Sequence, residues 1–311
     1  MLSFLRAGAR SKRGLWPIQR NRRRRSLRAF AQFALGVFAV RKVALVLVFV
    51  CLTMCGCAAS GAEEDTLTAV FYDVGKADAI LLYTEDAAVL VDAGVNKSGE
   101  DIVADLHARG IERLDALIIT HFDKDHVGGA DKVIEGVEIA RVLEPDYEKD
   151  SKQFRQYREA LYEAGLQAEA FAENVEFALD GCNFAIDVAN ASDYGEDEEN
   201  DFSLVVRVTH GAVRFLLAGD AENARLAELL DEGDLQSDVL KTPHHGRYAA
   251  LSAAFFQAVS PEYAVITSDA EDLEDAETVY ALELAGARVL LTREGTVEMT
   301  SNGDAVRIVE Q

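Results

Sequence analysis

"THFDKDHVGGA" (residues 120–130) sets two histidines and two aspartates within positions 121–126, directly after the apolar run "LDALIIT" (114–120). Four such side chains crowded at the mouth of a buried strand repel one another or compete for protons unless a cation sits among them. The stretch therefore calls for a positive charge that the sequence itself does not supply. Gly128 and Gly129 let the backbone pass close beneath such a site and begin a helix.

Two other stretches have the same form, an apolar strand ending on ligand-type residues. "FLLAGD" (215–220) ends on Asp220, and "DVLKTP" (238–243) runs into His244 and His245. Of the six histidines, His107 falls mid-helix and His210 at a hairpin turn, and neither is expected to bind anything. The other four, His121, His126, His244 and His245, fall in the two clusters. Imidazole with carboxylate suits a borderline to hard divalent ion, Zn or Mn. Two such ions, about 3.5–4 Å apart and sharing a carboxylate, would supply a nucleophile near neutral pH. There is no G-x-S-x-G, no P-loop and, after Cys57, no Cys-x-x-Cys to suggest other chemistry. Asp73 in "YDVG" and Asp92 in "VDAG" end strands near turns, and read as turn caps in preference to supports behind the metal ligands.

Around these motifs the chain reads as α/β. "LTAVFYDV" (67–74), "AILLYT" (79–84) and "AVLVDAG" (88–94) are a strand meander. Helices are expected over 98–110, with Ser98 and Asp101 as a capping pair, over 129–135, and over 151–165. "FAIDVAN", "SLVVRVTHGAVRFLLAGD" and "SDVLKTPHHG" read as strands of a second sheet. Helices follow over 221–233, 251–260 and 274–286. "ARVLLT", "GTVEMT" and "AVRIVE" close the chain as strands, and "YGEDEEND" (194–201) reads as an exposed loop. The order suits two packed sheets with helices outside.

As an ordered set, "THFDKDHVGG", "NDFSLVV" (200–206), "LLAGD" and "LKTPHHG" resemble the metallo-β-lactamase superfamily. More narrowly they resemble the hydrolase domain of ComEC-type competence proteins, whose opening strand pair "FYDVGKADAILL" is also similar. The likeness covers residues 67–300. It implies a four-layer αβ/βα sandwich and a metal-dependent hydrolase holding two divalent ions, Zn or Mn. Carried over, His121 and Asp123 would hold one ion, Asp125 and His126 the other, and Asp220 would bridge them. One of His244 and His245 would be a further ligand, and Asp125 and Asp220 the catalytic carboxylates. Three departures put the substrate pocket in doubt: Ala77 before Asp78, Arg247 where a serine is usual, and "SDAEDLEDAET" (268–278) in place of an Asn…His-Pro segment.

The charge is unevenly spread. Residues 1–56 carry twelve Lys/Arg and no Asp or Glu, which leaves nineteen basic against 54 acidic residues from Cys57 onward, a net of −35. A domain so acidic repels polyanions such as DNA and suits a small phosphoester. A phosphodiester or related ester is the expected substrate. The alternatives are a ComEC-like nuclease linked to DNA uptake, or a surface lipoprotein that keeps the fold as a binding module.

Residues 1–56 read as a targeting segment, 57–66 as a tether and 67–311 as the hydrolase domain. Arg41 and Lys42 precede an apolar run from Val43 to Met54, shorter than the roughly 20 residues that span a bilayer. Translation from Val40 would leave a compact signal sequence. Gly56-Cys57 resembles a bacterial lipobox, so Cys57 is expected to carry lipid and anchor the domain outside the cytoplasmic membrane. Cys182 is a small apolar residue by this reading.

Cleavage before Cys57 and acylation of its sulfur are the expected outcome in the native host, with mass spectrometry of the N-terminal peptide as the check. Cys57→Ser is expected to move the protein to the soluble or secreted fraction. An intact, unlipidated N-terminus recovered from cytosol would reject the lipobox.

Overall fold

Alternation along each strand decides the architecture. In the first strand Leu67, Ala69 and Phe71 face one apolar core while Val70 faces another. In "VRFLL", Val213, Phe215 and Leu217 join the first of these cores and Leu216 a third. Strands apolar on both faces must be covered on both sides, and the chain meets this by packing two sheets face to face with helices outside.

The computed structural model describes residues 66–191, 194 and 199–309. The targeting segment, Cys57 and the tether up to residue 65 lie outside the described residues. In chain order the elements are β1 (Leu67–Phe71), β2 (Ile80–Tyr83), β3 (Ala88–Val91), α1 (Gly99–Ala108), β4 (Arg113–Leu114), β5 (Ala116–Ile118), α2 (Ala130–Gly136), β6 (Glu138–Ile139), β7 (Val142–Pro145), α3 (Lys152–Ala164) and β8 (Ala168–Phe171). The second half runs β9 (Val175–Leu179), β10 (Cys182–Asp187), β11 (Val205–His210), β12 (Val213–Leu217), α4 (Asn223–Glu232), β13 (Val239–Lys241), α5 (Ser252–Val259), β14 (Tyr263–Ile266), α6 (Ala276–Leu284), β15 (Arg288–Leu291), β16 (Val297–Ser301) and β17 (Val306–Ile308).

One sheet has the order β17-β16-β1-β2-β3-β5-β7-β8 and the other β15-β14-β13-β12-β11-β10-β9. Each is antiparallel in one part and parallel in the other: β3, β5, β7 and β8 run parallel, as do β12, β13, β14 and β15. The core between the sheets is closed by residues such as Phe71, Ile118, Phe184 and Phe215. Helices α1–α3 cover the first sheet, and α4–α6 the second. This is the four-layer sandwich that the motifs imply.

Local signals explain most of the helices. Ser151 Oγ accepts from the Phe154 N–H at 3.1 Å, and Gly165 at φ 67° ends α3. Phe154, Tyr157, Ala160 and Leu161 then form its buried stripe. Ser98, by contrast, makes no cap bond, because a 3-10 turn over Asn96–Ser98 runs straight into α1 and buries its side chain. The acidic stretch 194–201 is not wholly exposed either. Asp201 is buried and accepts from the N–H groups of Glu222 (2.8 Å) and Arg225 (3.0 Å), capping α4 from a distant loop. The sequence reading has no strand over 142–145, 168–171, 175–179 or 263–266; the second and third are edge strands of the two sheets, half-exposed and rich in Ala and Glu.

The glycine pair after His126 has a steric cause. A Cβ on Gly129 would collide with the Ala93 carbonyl oxygen and stand 2.9 Å from the Gly99 Cα; one on Gly128 would stand 2.7 Å from the Asn96 nitrogen. The loop that carries the histidines is thus pressed against the loop after β3. Gly129→Ala is expected to lower stability by about 2–3 kcal/mol through this overpacking, read as a drop in the urea midpoint with an unchanged slope. A midpoint equal to wild type would show that the two loops can separate freely.

Candidate metal centre

Five strands end, and one begins, at a single edge of the sandwich. β3 delivers Asp92, β5 delivers Thr120 and His121, β12 delivers Asp220, β13 delivers Lys241 and the two histidines, and β14 delivers Thr267. Asp78 precedes β2 at the same edge. Carboxyl ends of parallel strands are where such sheets gather ligands. Here the two sheets contribute to one cluster: Asp78, Asp92, His121 and His126 come from the first, and Asp220, Lys241 and His245 from the second, all buried.

Donor atoms of four residues converge. His126 Nε2 lies 3.3 Å from His245 Nε2 and 3.2 Å from Asp220 Oδ1. His245 Nε2 lies 3.1 Å from Asp220 Oδ2 and 3.6 Å from Asp125 Oδ2. His121 joins His126 and Asp220 in a second possible ligand group. Each imidazole is held from behind by its Nδ1. That of His126 meets Asp92 Oδ2 at 2.8 Å, that of His245 meets Thr267 Oγ1 at 3.0 Å, and that of His121 meets Thr120 Oγ1 at 3.2 Å and Ser203 Oγ at 3.4 Å. Partners of this kind fix a ring's orientation and the identity of its free nitrogen.

The remaining contacts neutralise charge. Lys241, wholly buried, pairs with Asp78, donates to the Gly219 carbonyl at 3.1 Å and lies 3.6 Å from Asp220 Oδ1. Burial would raise the Asp78 and Asp220 pKa values, but Lys241 together with the histidines outweighs it and holds both below the usual carboxylate range. Burial, with His126 beside it, brings His121 down to about 3, so its ring is neutral. Burial opposes charge on His126 and His245 too, yet the neighbouring carboxylates prevail and raise both. The cluster therefore draws cationic charge into itself.

Residues 72–267 match the family model of the Metallo-beta-lactamase superfamily. The chain belongs to that superfamily. It is a metallo-hydrolase by this membership. It is 29% identical over 211 residues to the competence protein ComA of Neisseria gonorrhoeae, covering 66% of this chain and 27% of that protein. It is 26% identical over 265 residues to ComE operon protein 3 of Bacillus subtilis (strain 168), covering 78% of this chain and 33% of that protein. The chain thus spans about a third or less of the curated relatives it matches. Among solved structures, the metallo-beta-lactamase fold protein YhfI from Bacillus subtilis aligns with a TM-score of 0.53 at 12% identity, over 75% of this chain and 99% of that one, a likeness of fold.

The superfamily implies a divalent metal, and the residues present fit one. His121 Nε2 is buried without a hydrogen-bond partner, and Asp220 Oδ1 has ion-pair contacts but no aligned hydrogen bond. A divalent ion would satisfy both atoms, and its charge would take over the compensation of the surrounding carboxylates.

Of the residues singled out by sequence, His121, Asp125, His126, Asp220 and His245 come together. His244 does not join them. It is 26% exposed and turns to Glu222, 2.9 Å away, with Asp220 Oδ2 4.0 Å from its Nε2. Asp123 is in none of the possible ligand groups among the described residues, and its carboxylate pairs with Lys149. Asp73 is exposed, whereas Asp92, read as a turn cap, also lies directly behind His126. Asp78, Lys241, Thr267 and Ser203 were not singled out as site residues. Their one sequence signal is position: Asp78 and Ser203 stand just before an apolar run, and Lys241 and Thr267 at the end of one.

Asp92→Asn retains the shape but removes the charge behind His126. Metal affinity is expected to fall roughly 10–100-fold, measured by chelator competition, with the circular dichroism spectrum unchanged. Unaltered affinity would show that Asp92 serves only the turn.

Proposed function

We propose that the chain is an extracytoplasmic, metal-dependent hydrolase that cleaves a phosphodiester or a related ester on a small substrate. The observation that carries this reading is the gathering of His121, His126 and Asp220, and of Asp125, His126 and His245, into two overlapping ligand groups at the junction of the sheets. Asp125, His126 and His245 would hold one ion, His121 and Asp123 the other, with Asp220 shared between them. Bound there, two ions would lower the pKa of water to give a nucleophile near neutral pH and would stabilise charge on the attacked centre.

The protein's own groups divide the remaining work. Asp92, Thr267 and the pair Thr120–Ser203 keep the three imidazoles aimed inward. Asp125 keeps 21% of its side chain open to solvent. In this reading Asp125, besides holding an ion, would accept the proton that an attacking water gives up, and the enclosed Asp220 would serve chiefly to bind.

Charge supports a small substrate. Around the site Lys149 pairs with Asp123 and Glu199, Lys76 with Asp272, and Arg247 with Asp272 and Asp275. A nucleic-acid track needs cations available to successive phosphates, and these three are already matched by carboxylates. The competence-protein relatives favour the second reading, a DNA nuclease. Among the described residues no helix is long and apolar enough to cross a membrane; the extracytoplasmic placement rests on the proposed lipid at Cys57.

The test compares bis(p-nitrophenyl) phosphate with single- and double-stranded DNA, using metal-loaded protein at physiological salt. Turnover of the small ester is expected to exceed that of DNA and to change little with salt. Asp220→Ala is expected to lose bound metal and about 100-fold or more of the rate while staying folded. Rapid DNA degradation at that salt would replace this reading with the nuclease.

A further inference from the structure

The ligand groups on the two sides of Asp220 are not equivalent. On one side the donor atoms of four residues, Asp125, His126, His245 and Asp220, are joined in a chain of contacts of 3.1–3.6 Å. On the other side His121 Nε2 points inward without a hydrogen-bond partner. Behind it, Nδ1 meets Thr120 and Ser203, and the Ser203 hydroxyl also accepts from the Asp220 N–H at 3.1 Å. The carboxylate that would complete this side, Asp123, is taken by Lys149, which also holds Glu199. Lys149 keeps 22% of its side chain in solvent and Asp123 35%, so their pairing is one that water can replace.

We propose that the protein holds one divalent ion tightly at Asp125–His126–His245–Asp220 and a second weakly at His121–Asp123–Asp220, with Lys149 setting that weakness by competing for Asp123. A carboxylate paired to an ammonium must give up that partner before it can ligate, and an ammonium next to the site repels a second cation. Freed Lys149 stays at the mouth, where an anionic substrate group would take Asp123's place as its partner. Lys149 is thus a positioning residue that acts through Asp123. The inference rests on the two-ion reading above and concerns the ions alone, so it can be tested without turnover.

The experiment titrates metal-stripped full chain with Zn²⁺ alone, following bound metal by equilibrium dialysis. Wild type is expected to bind one ion with at least tenfold higher affinity than the second. Lys149→Met is expected to tighten the second ion about tenfold and leave the first unchanged; Lys149→Arg is expected to keep the wild-type gap. Asp123→Asn is expected to lose the second ion and retain the first, which also shows that the variant is folded. Two ions of equal affinity in wild type, or a Lys149→Met variant whose second affinity does not move, would overturn the proposal. Hydrolysis of bis(p-nitrophenyl) phosphate is measured in parallel at saturating Zn²⁺. Its absence with the expected binding steps defeats the hydrolase reading alone, and its presence with two equal ions defeats this inference alone.

Discussion

Buried negative charge at the junction of the two sheets is the constraint on which the site depends. Asp78, Asp92 and Asp220 are almost wholly withdrawn from water, where an uncompensated carboxylate costs several kcal/mol. The first compensation is internal. Lys241, itself without solvent contact, reaches from the second sheet to Asp78 of the first and stays within 3.6 Å of Asp220. The second is the pair His126 and His245, again one from each sheet. The same contacts that neutralise the site therefore clasp the two halves of the sandwich. Metal bound among them would strengthen that clasp, so that folding stability and metal affinity are linked quantities here.

Aim matters as much as charge. Each inward-facing histidine is gripped through Nδ1, which leaves Nε2 as the atom offered to the centre. The grip requires unusual backbone. Asp92 sits at φ 57°, which brings its carboxylate under both the Thr120 N–H (2.8 Å) and His126. His244 and His245 follow at φ 45° and 51°, a left-handed pair that costs about 1–2 kcal/mol per residue. That local turn sends consecutive side chains in different directions, His245 inward and His244 toward Glu222. Strain at such a position is carried by the surrounding packing.

These particulars show what the sequence discloses and what it withholds. The histidine loop, Asp220 and the double histidine were legible because each follows an apolar strand, and a strand end fixes a residue's position almost by itself. The layered fold was legible from the order of strand and helix runs, with the four layers implied by the family resemblance, and the alternation of β1 and β12 between cores agrees with it. The choice between His244 and His245 was not, because it rests on two backbone angles. Asp78 and Lys241 were missed because a charged residue in sequence reads as solvated, and each is buried only by virtue of the other. Ser98 has the look of a cap, but the preceding turn consumes that role. Asp201 lay hidden in an acidic run because the helix end it caps is some twenty residues away.

The distribution of cations ties the fold to its chemistry. The domain is strongly acidic, yet the basic groups nearest the centre are not scattered at random. Lys241 is sealed inside against Asp78, while Lys149, Lys76 and Arg247 stand partly in water, each against carboxylates of a loop. The inner pair cannot exchange partners without leaving a buried charge, so it is structural. The outer pairs exchange at little cost and can yield to an incoming anion. An anionic ester approaching this acidic edge would be drawn by bound metal and by an outer cation whose carboxylate partner gives way. On that arrangement, selectivity comes from the field of the domain, and chemistry from the few positive charges that it permits at one point.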